Sequence, residues 1–158
     1  MREFDYNGFL LAGLQAKIFE KSVSIDKSSS LIFLRRFQKS TFASKLDKEN
    51  SAFIDFRTEV AIENINKEFG GESYGKMKYS AEAMYWMGYL YRYICYTREV
   101  STRYVFKLIN PMEMHRLFHV FHTQSEEWCI RSILEMKGIT EEQFDINYRA
   151  KKHLEKLL

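Results

Sequence analysis

Apolar residues recur at helical spacing along most of the chain, and polar breaks separate the runs. Phe9, Leu10, Leu14, Ile18 and Phe19 fall on one broad face of a first predicted helix, from Asp5 to about Lys21, with Asp5 placed to cap it. The serine-rich S-V-S-I-D-K-S-S-S then interrupts the pattern. Leu31, Phe33, Leu34, Phe37 and Phe42 predict a second helix over residues 28–46, whose other face carries Arg35, Arg36 and Lys39. After Asp47-Lys-Glu-Asn50, a third helix is expected over residues 51–69, with Ile54, Ala61, Ile62, Ile65 and Phe69 in one stripe. Gly70-Gly71 supplies its stop. Residues 70–78 are the clearest linker, dividing an N-terminal helical part (1–69) from a C-terminal one (79–158) within a single helical domain.

Residues 79–96, Y-S-A-E-A-M-Y-W-M-G-Y-L-Y-R-Y-I-C-Y, break the amphipathic rhythm. Fourteen of the eighteen are apolar or aromatic, six of the ten tyrosines lie here, and only Glu82 and Arg92 are charged. A segment apolar on every side is expected to be buried on every side, with other elements packed around it. Aromatic runs also suit strands. Helix is favoured by Ser80 as cap, Glu82 in the first turn, and the helix formers Ala81, Ala83, Met84 and Met87.

Downstream, start and stop signals are dense. Ser101 can cap a short helix to about Ile109, and Asn110-Pro-Met-Glu113 marks another start. Thr123-Gln-Ser-Glu126 reads as a capping box opening a helix over residues 124–137, closed by Gly138. Thr140-Glu-Glu-Gln143 opens the last, over residues 141–157. The expected fold is therefore all-α, with seven or eight helices around a buried central helix at residues 80–97.

Composition narrows the class without naming a function. With 158 residues, 46% hydrophobic and 28% charged, the chain is long enough for one domain with a real core. One proline and seven glycines leave few tight turns for a β-sandwich or barrel. The net charge of +3 permits nucleic-acid contact without demanding it. No apolar run is long enough to span a bilayer, and the opening M-R-E-F-D-Y lacks a signal-peptide pattern. A cytoplasmic location with reduced thiols is expected, so Cys95 and Cys129 read as structural.

Few constellations carry chemistry. His115, His119 and His122 share a helical face, but no second ligand pair accompanies them, and Phe118 and Phe121 interleave as in a half-exposed amphipathic helix. Metal, cofactor and catalytic residues are therefore not expected. The G-G-E-S-Y-G at 70–75 lacks the strand-to-helix setting and the Lys-Ser/Thr ending of a phosphate loop. Thr102, Arg103 and Lys107 would lie on a recognition helix if residues 80–97 and 101–109 formed a helix-turn-helix pair, which makes DNA an alternative partner. Tyr85, Tyr89, Arg92, Tyr93 and Tyr96 form the candidate partner-binding set, because tyrosine with arginine suits interface cores. Their other reading is a core helix with its hydroxyls satisfied internally.

S-A-E-A-M-Y-W-M-G-Y-L-Y-R-Y, followed by I-C-Y-T-R-E-V-S-T-R and F-H-T-Q-S-E-E-W-C-I, resembles a family of small antitoxin-like proteins of Gram-positive bacteria. These tend to be encoded beside ADP-ribosyltransferase-like toxins. The resemblance covers about residues 79–134 and brings no site residues with it. It implies a non-enzymatic, cytoplasmic interaction protein whose partner is a cognate protein toxin.

Overall fold

The computed structural model describes residues 1–158 and contains nine α-helices and no strand, against the seven or eight helices expected. They are α1 (Tyr6–Ile25), α2 (Ser30–Lys39), α3 (Thr41–Lys48), α4 (Thr58–Glu68), α5 (Ala81–Arg98), α6 (Thr102–Leu108), α7 (Pro111–Phe121), α8 (Glu126–Met136) and α9 (Glu141–Leu157).

Three boundaries differ from expectation, each for a local reason. The second helix divides at Ser40, whose backbone is extended (ψ 154°) and whose hydroxyl caps α3 by accepting from Ala43 N. Residues 51–69 hold only a short 3₁₀ turn, Ser51–Phe53, before α4 begins at Thr58. Asp55 organises the stretch between them, accepting from the backbone N–H of Arg57 at 2.9 Å. Helix α8 starts at Glu126 because Ser125, and not Thr123, supplies the cap, accepting from Trp128 N. The boxes at Asn110 and Thr140 form as expected, each with both reciprocal hydrogen bonds.

Helices α1 and α5 are antiparallel and make the most extensive packing in the fold. Gly88 allows their backbones to touch: a Cβ there would stand 2.8 Å from Gln15 O and 2.9 Å from Ala16 Cα. Gln15, itself buried, closes the seam by donating its side-chain amide to Gly88 O at 3.0 Å. At the other end Asp5 caps α1 through Gly8 N and accepts the Tyr96 hydroxyl at 2.6 Å.

One contiguous hydrophobic core takes residues from both sides of the 69–80 segment, including Phe19, Phe33 and Phe37 before it and Met87, Tyr91 and Ile130 after it. The segment is tied down by the serine-rich break. Ser28 Oγ accepts from Tyr74 N, Ser30 Oγ accepts from Tyr79 N, and Lys78 Nζ donates to Asp26 O. Those serines thus satisfy backbone donors that would otherwise lack partners.

Burial along α5 is not uniform. Every residue from Leu90 to Arg98 is buried, whereas Ala81, Glu82 and Tyr85 are exposed, and Trp86 and Tyr89 are half-buried. The helix is enclosed over its second half and carries an open face over its first. No helix is long and apolar enough to cross a membrane.

Candidate functional site

The sole cation inside the aromatic stretch beyond its first turn, Arg92, lies fully inside the protein at 1% exposure. Its Nε donates to Gln15 Oε1 at 2.8 Å, its Nη1 to Asp47 Oδ1 at 2.7 Å, and its Nη2 to Thr102 Oγ1 at 2.7 Å. Asp47 in turn accepts from Thr102 N and from the Thr102 hydroxyl. One buried guanidinium therefore joins α1, α3, α5 and α6. A buried charge is tolerable only when paired and hydrogen-bonded, and this one is both.

Three of the α5 tyrosines are likewise spent inside the fold. The Tyr91 hydroxyl donates to Ile109 O at 2.7 Å, Tyr93 to Glu127 Oε1 at 2.8 Å, and Tyr96 to Asp5. Phe4 covers the group, its ring 4.5 Å from that of Tyr93, and the Arg2 guanidinium lies 3.9 Å from the Tyr96 ring centre. Burial first, then the Glu127 carboxylate, pushes the Tyr93 phenol well above its ordinary range. Arg92, Tyr93 and Tyr96 are thus buried, with their polar atoms bonded inside the fold as the internal reading expects. Tyrosine replaces phenylalanine here because each hydroxyl has an acceptor to reach.

Tyr85 and Tyr89 differ, their hydroxyls forming no bond within the chain. With Trp86 they occupy one face of the first half of α5 (positions i, i+1 and i+4) and line a concavity of about 550 Å³. Its far wall is the end of α7: Phe118 stacks on Trp86 at 5.8 Å, and His122 stands edge-on to Phe118 at 4.6 Å. His122 Nδ1 is 2.7 Å from Phe118 O, an acceptor only, so Nδ1 carries a proton and donates to it. Glu20, Glu82 and Glu126 complete the lining. The surface therefore pairs a flat aromatic floor with carboxylates and no cation.

Sequence spacing missed Phe118 and His122 because they come from another helix. Trp86 carried a signal, its place beside Tyr85 in the one turn of α5 that also bears Glu82. Tyr79, at the edge of the stretch, stacks on His115 at 3.6 Å, and no group of histidines, cysteines or carboxylates is arranged to hold a metal. Cys95 and Cys129 are buried and unpaired, and burial pushes the Cys95 thiol up to about 12 and Cys129 to about 11.

The helix-turn-helix residues separate. Thr102 is 1% exposed and fully engaged with Asp47 and Arg92, while Arg103 and Lys107 are exposed on α6, a helix of seven residues. The break before it turns on Glu99, left-handed at φ 54°. No protein-family model, curated protein or solved structure matches the chain.

Proposed function

We propose that the chain is a non-catalytic interaction protein that docks a protein partner on the aromatic face of α5. The observation that carries this reading is the Tyr85–Trp86–Tyr89–Phe118 concavity with its three glutamates, on a helix otherwise enclosed. Tyrosine and tryptophan dominate binding energy at interface centres because they bury large rigid areas at low entropic cost. Aromatic faces beside carboxylates favour a lysine or arginine flanked by apolar residues, which can stack on a ring and pair with an acid. The partner is accordingly a protein with a basic, apolar-flanked protrusion.

The resemblance of residues 79–134 to antitoxin-like proteins makes that partner a cognate ADP-ribosyltransferase-like toxin, neutralised by direct binding in the cytoplasm. A DNA-binding role fits less well, since Thr102 is turned inward and α6 offers only Arg103 and Lys107. The test is co-expression with the product of the adjacent reading frame. Recovery of a one-to-one complex supports the reading; separate elution of two folded proteins overturns it.

A further inference from the structure

A second, larger cleft of about 810 Å³ opens beside the last turns of α5, bounded by the α2–α3 junction, the start of α6 and helix α9. Its character is opposite to that of the aromatic face, with only six hydrophobic residues among the twenty-two that line it. The Arg92–Asp47 pair, fixed by Gln15 and Thr102, forms part of its wall. Three of the five guanidinium N–H groups are used by those protein acceptors.

Around the cleft stand Arg2, Lys39, Lys48, Arg103 and Lys152, none paired with a carboxylate, and every other ion pair in the chain lies elsewhere. The acids present are Glu49, Glu99 and Glu155 beside the committed Asp47, so the free cations outnumber the free carboxylates by five to three. The excess continues along the adjoining edge, where the Lys107 ammonium crowds Lys151 and pushes its pKa down. Unpaired cations gathered round a concavity raise the local concentration of anions; Arg103 spends one donor on Lys39 O at 3.5 Å and Arg2 lies over Tyr96, while their other N–H groups and the three ammonium groups can make charge-assisted hydrogen bonds. Tyr148, Tyr96 and Val100 supply apolar wall between them.

We propose that this cleft binds a phosphate-bearing small molecule, its phosphates held by Arg103, Lys152 and Lys39 and its organic part against Tyr148. A compact group with several negative charges is what matches several cations lining one cleft, and a single carboxylate would leave most of them unsatisfied. The volume lies within the range of small-molecule sites and exceeds what a phosphate alone fills. A concavity on this scale also suits a small molecule better than a duplex, which calls for a helix or ribbon projecting into a groove.

The full-length protein is titrated calorimetrically with ATP and with inorganic pyrophosphate, and thermal unfolding is followed with each. Both probes are expected to bind and to raise Tm, ATP more tightly. Arg103→Glu and Lys152→Glu, both at exposed positions and so retaining the unliganded Tm, are each expected to weaken ATP by about tenfold or more. Arg116→Glu, the same charge change away from the cleft, is expected to leave affinity unchanged. No heat and no Tm shift from either probe at millimolar concentration overturns the proposal. So does ATP binding that survives both cleft substitutions, or binding confined to duplex DNA with a steep salt dependence.

Discussion

Asp47→Ala is the sharpest perturbation of the fold. In the native protein Asp47 Oδ1 takes the Arg92 Nη1 donor at 2.7 Å and the Thr102 hydroxyl at 2.7 Å, and its two oxygens share Thr102 N at 3.1 and 3.0 Å. Removal leaves a guanidinium that is 1% exposed without a counter-charge. Breaking a buried pair in this one-sided way costs about 3–5 kcal/mol, and loss of the acceptor at the start of α6 adds about 1 kcal/mol. Asp47 is 14% exposed, so water can enter and recover part of this. The net expectation is about 3–5 kcal/mol, a large share of the roughly 5–15 kcal/mol typical of a domain. Arg92→Met removes the charge instead, leaving Asp47 with its Thr102 donors and some water, and is expected to cost about 1–3 kcal/mol. The double variant is therefore less damaged than the sum of the two, by about 2 kcal/mol or more. Urea denaturation of the four proteins measures the cycle. An Asp47→Ala loss below about 1 kcal/mol, or strict additivity, would refute the assignment of Arg92–Asp47 as a mutually dependent buried pair.

Two further outcomes follow from the packing and the titrating groups. Gly88→Ala places a methyl against the α1 backbone at Gln15 O and Ala16 Cα, so it is expected to destabilise by about 1–3 kcal/mol in urea, although alanine is the better helix former. A neutral or stabilising result would mean that α1 and α5 do not approach this closely. Stability is also expected to fall in two stages on acidification. Burial first, then His119, holds His115 below 6.5, so the unfolded chain binds a proton there more readily and stability declines as pH drops through 6.5. The Arg98 guanidinium holds Glu127 below 4.5, so its contribution is complete above 4.5 and is lost as pH falls through its lower folded value. Urea midpoints across this range should show His115→Gln removing the first decline only; an unchanged first decline counts against it.

Local chemistry made much of the fold legible beforehand. Ser80, Ser101, Asn110 and Thr140 each sit where a side-chain oxygen meets the N3 amide, and all four cap the helices expected of them. The all-helical class followed from that punctuation and from the apolar spacing. The break at Ser40 was hidden because the residues around it keep a helical pattern on both sides, and only the extended backbone at Ser40 divides them. The site was less legible. The partners of Arg92 lie 77 and 45 residues away, at Gln15 and Asp47, and no spacing rule joins them. For the same reason the tyrosines looked equivalent in sequence. What separates Tyr93 and Tyr96 from Tyr85 and Tyr89 is the arrival of Glu127 and Asp5 from other helices.

That division within one helix is what the proposed function rests on, and it can be measured directly. With the product of the adjacent reading frame, the proposed partner, as ligand, titration calorimetry compares Trp86→Ala, on the open face, with Tyr93→Phe, on the enclosed side. Trp86→Ala is expected to lose about 2 kcal/mol of binding, roughly 30-fold in Kd, with its fold intact by circular dichroism. Tyr93→Phe is expected to bind as the parent does while losing stability through the orphaned Glu127 contact. Unchanged binding by Trp86→Ala, or binding lost on Tyr93→Phe without unfolding, would contradict docking on the aromatic face of α5.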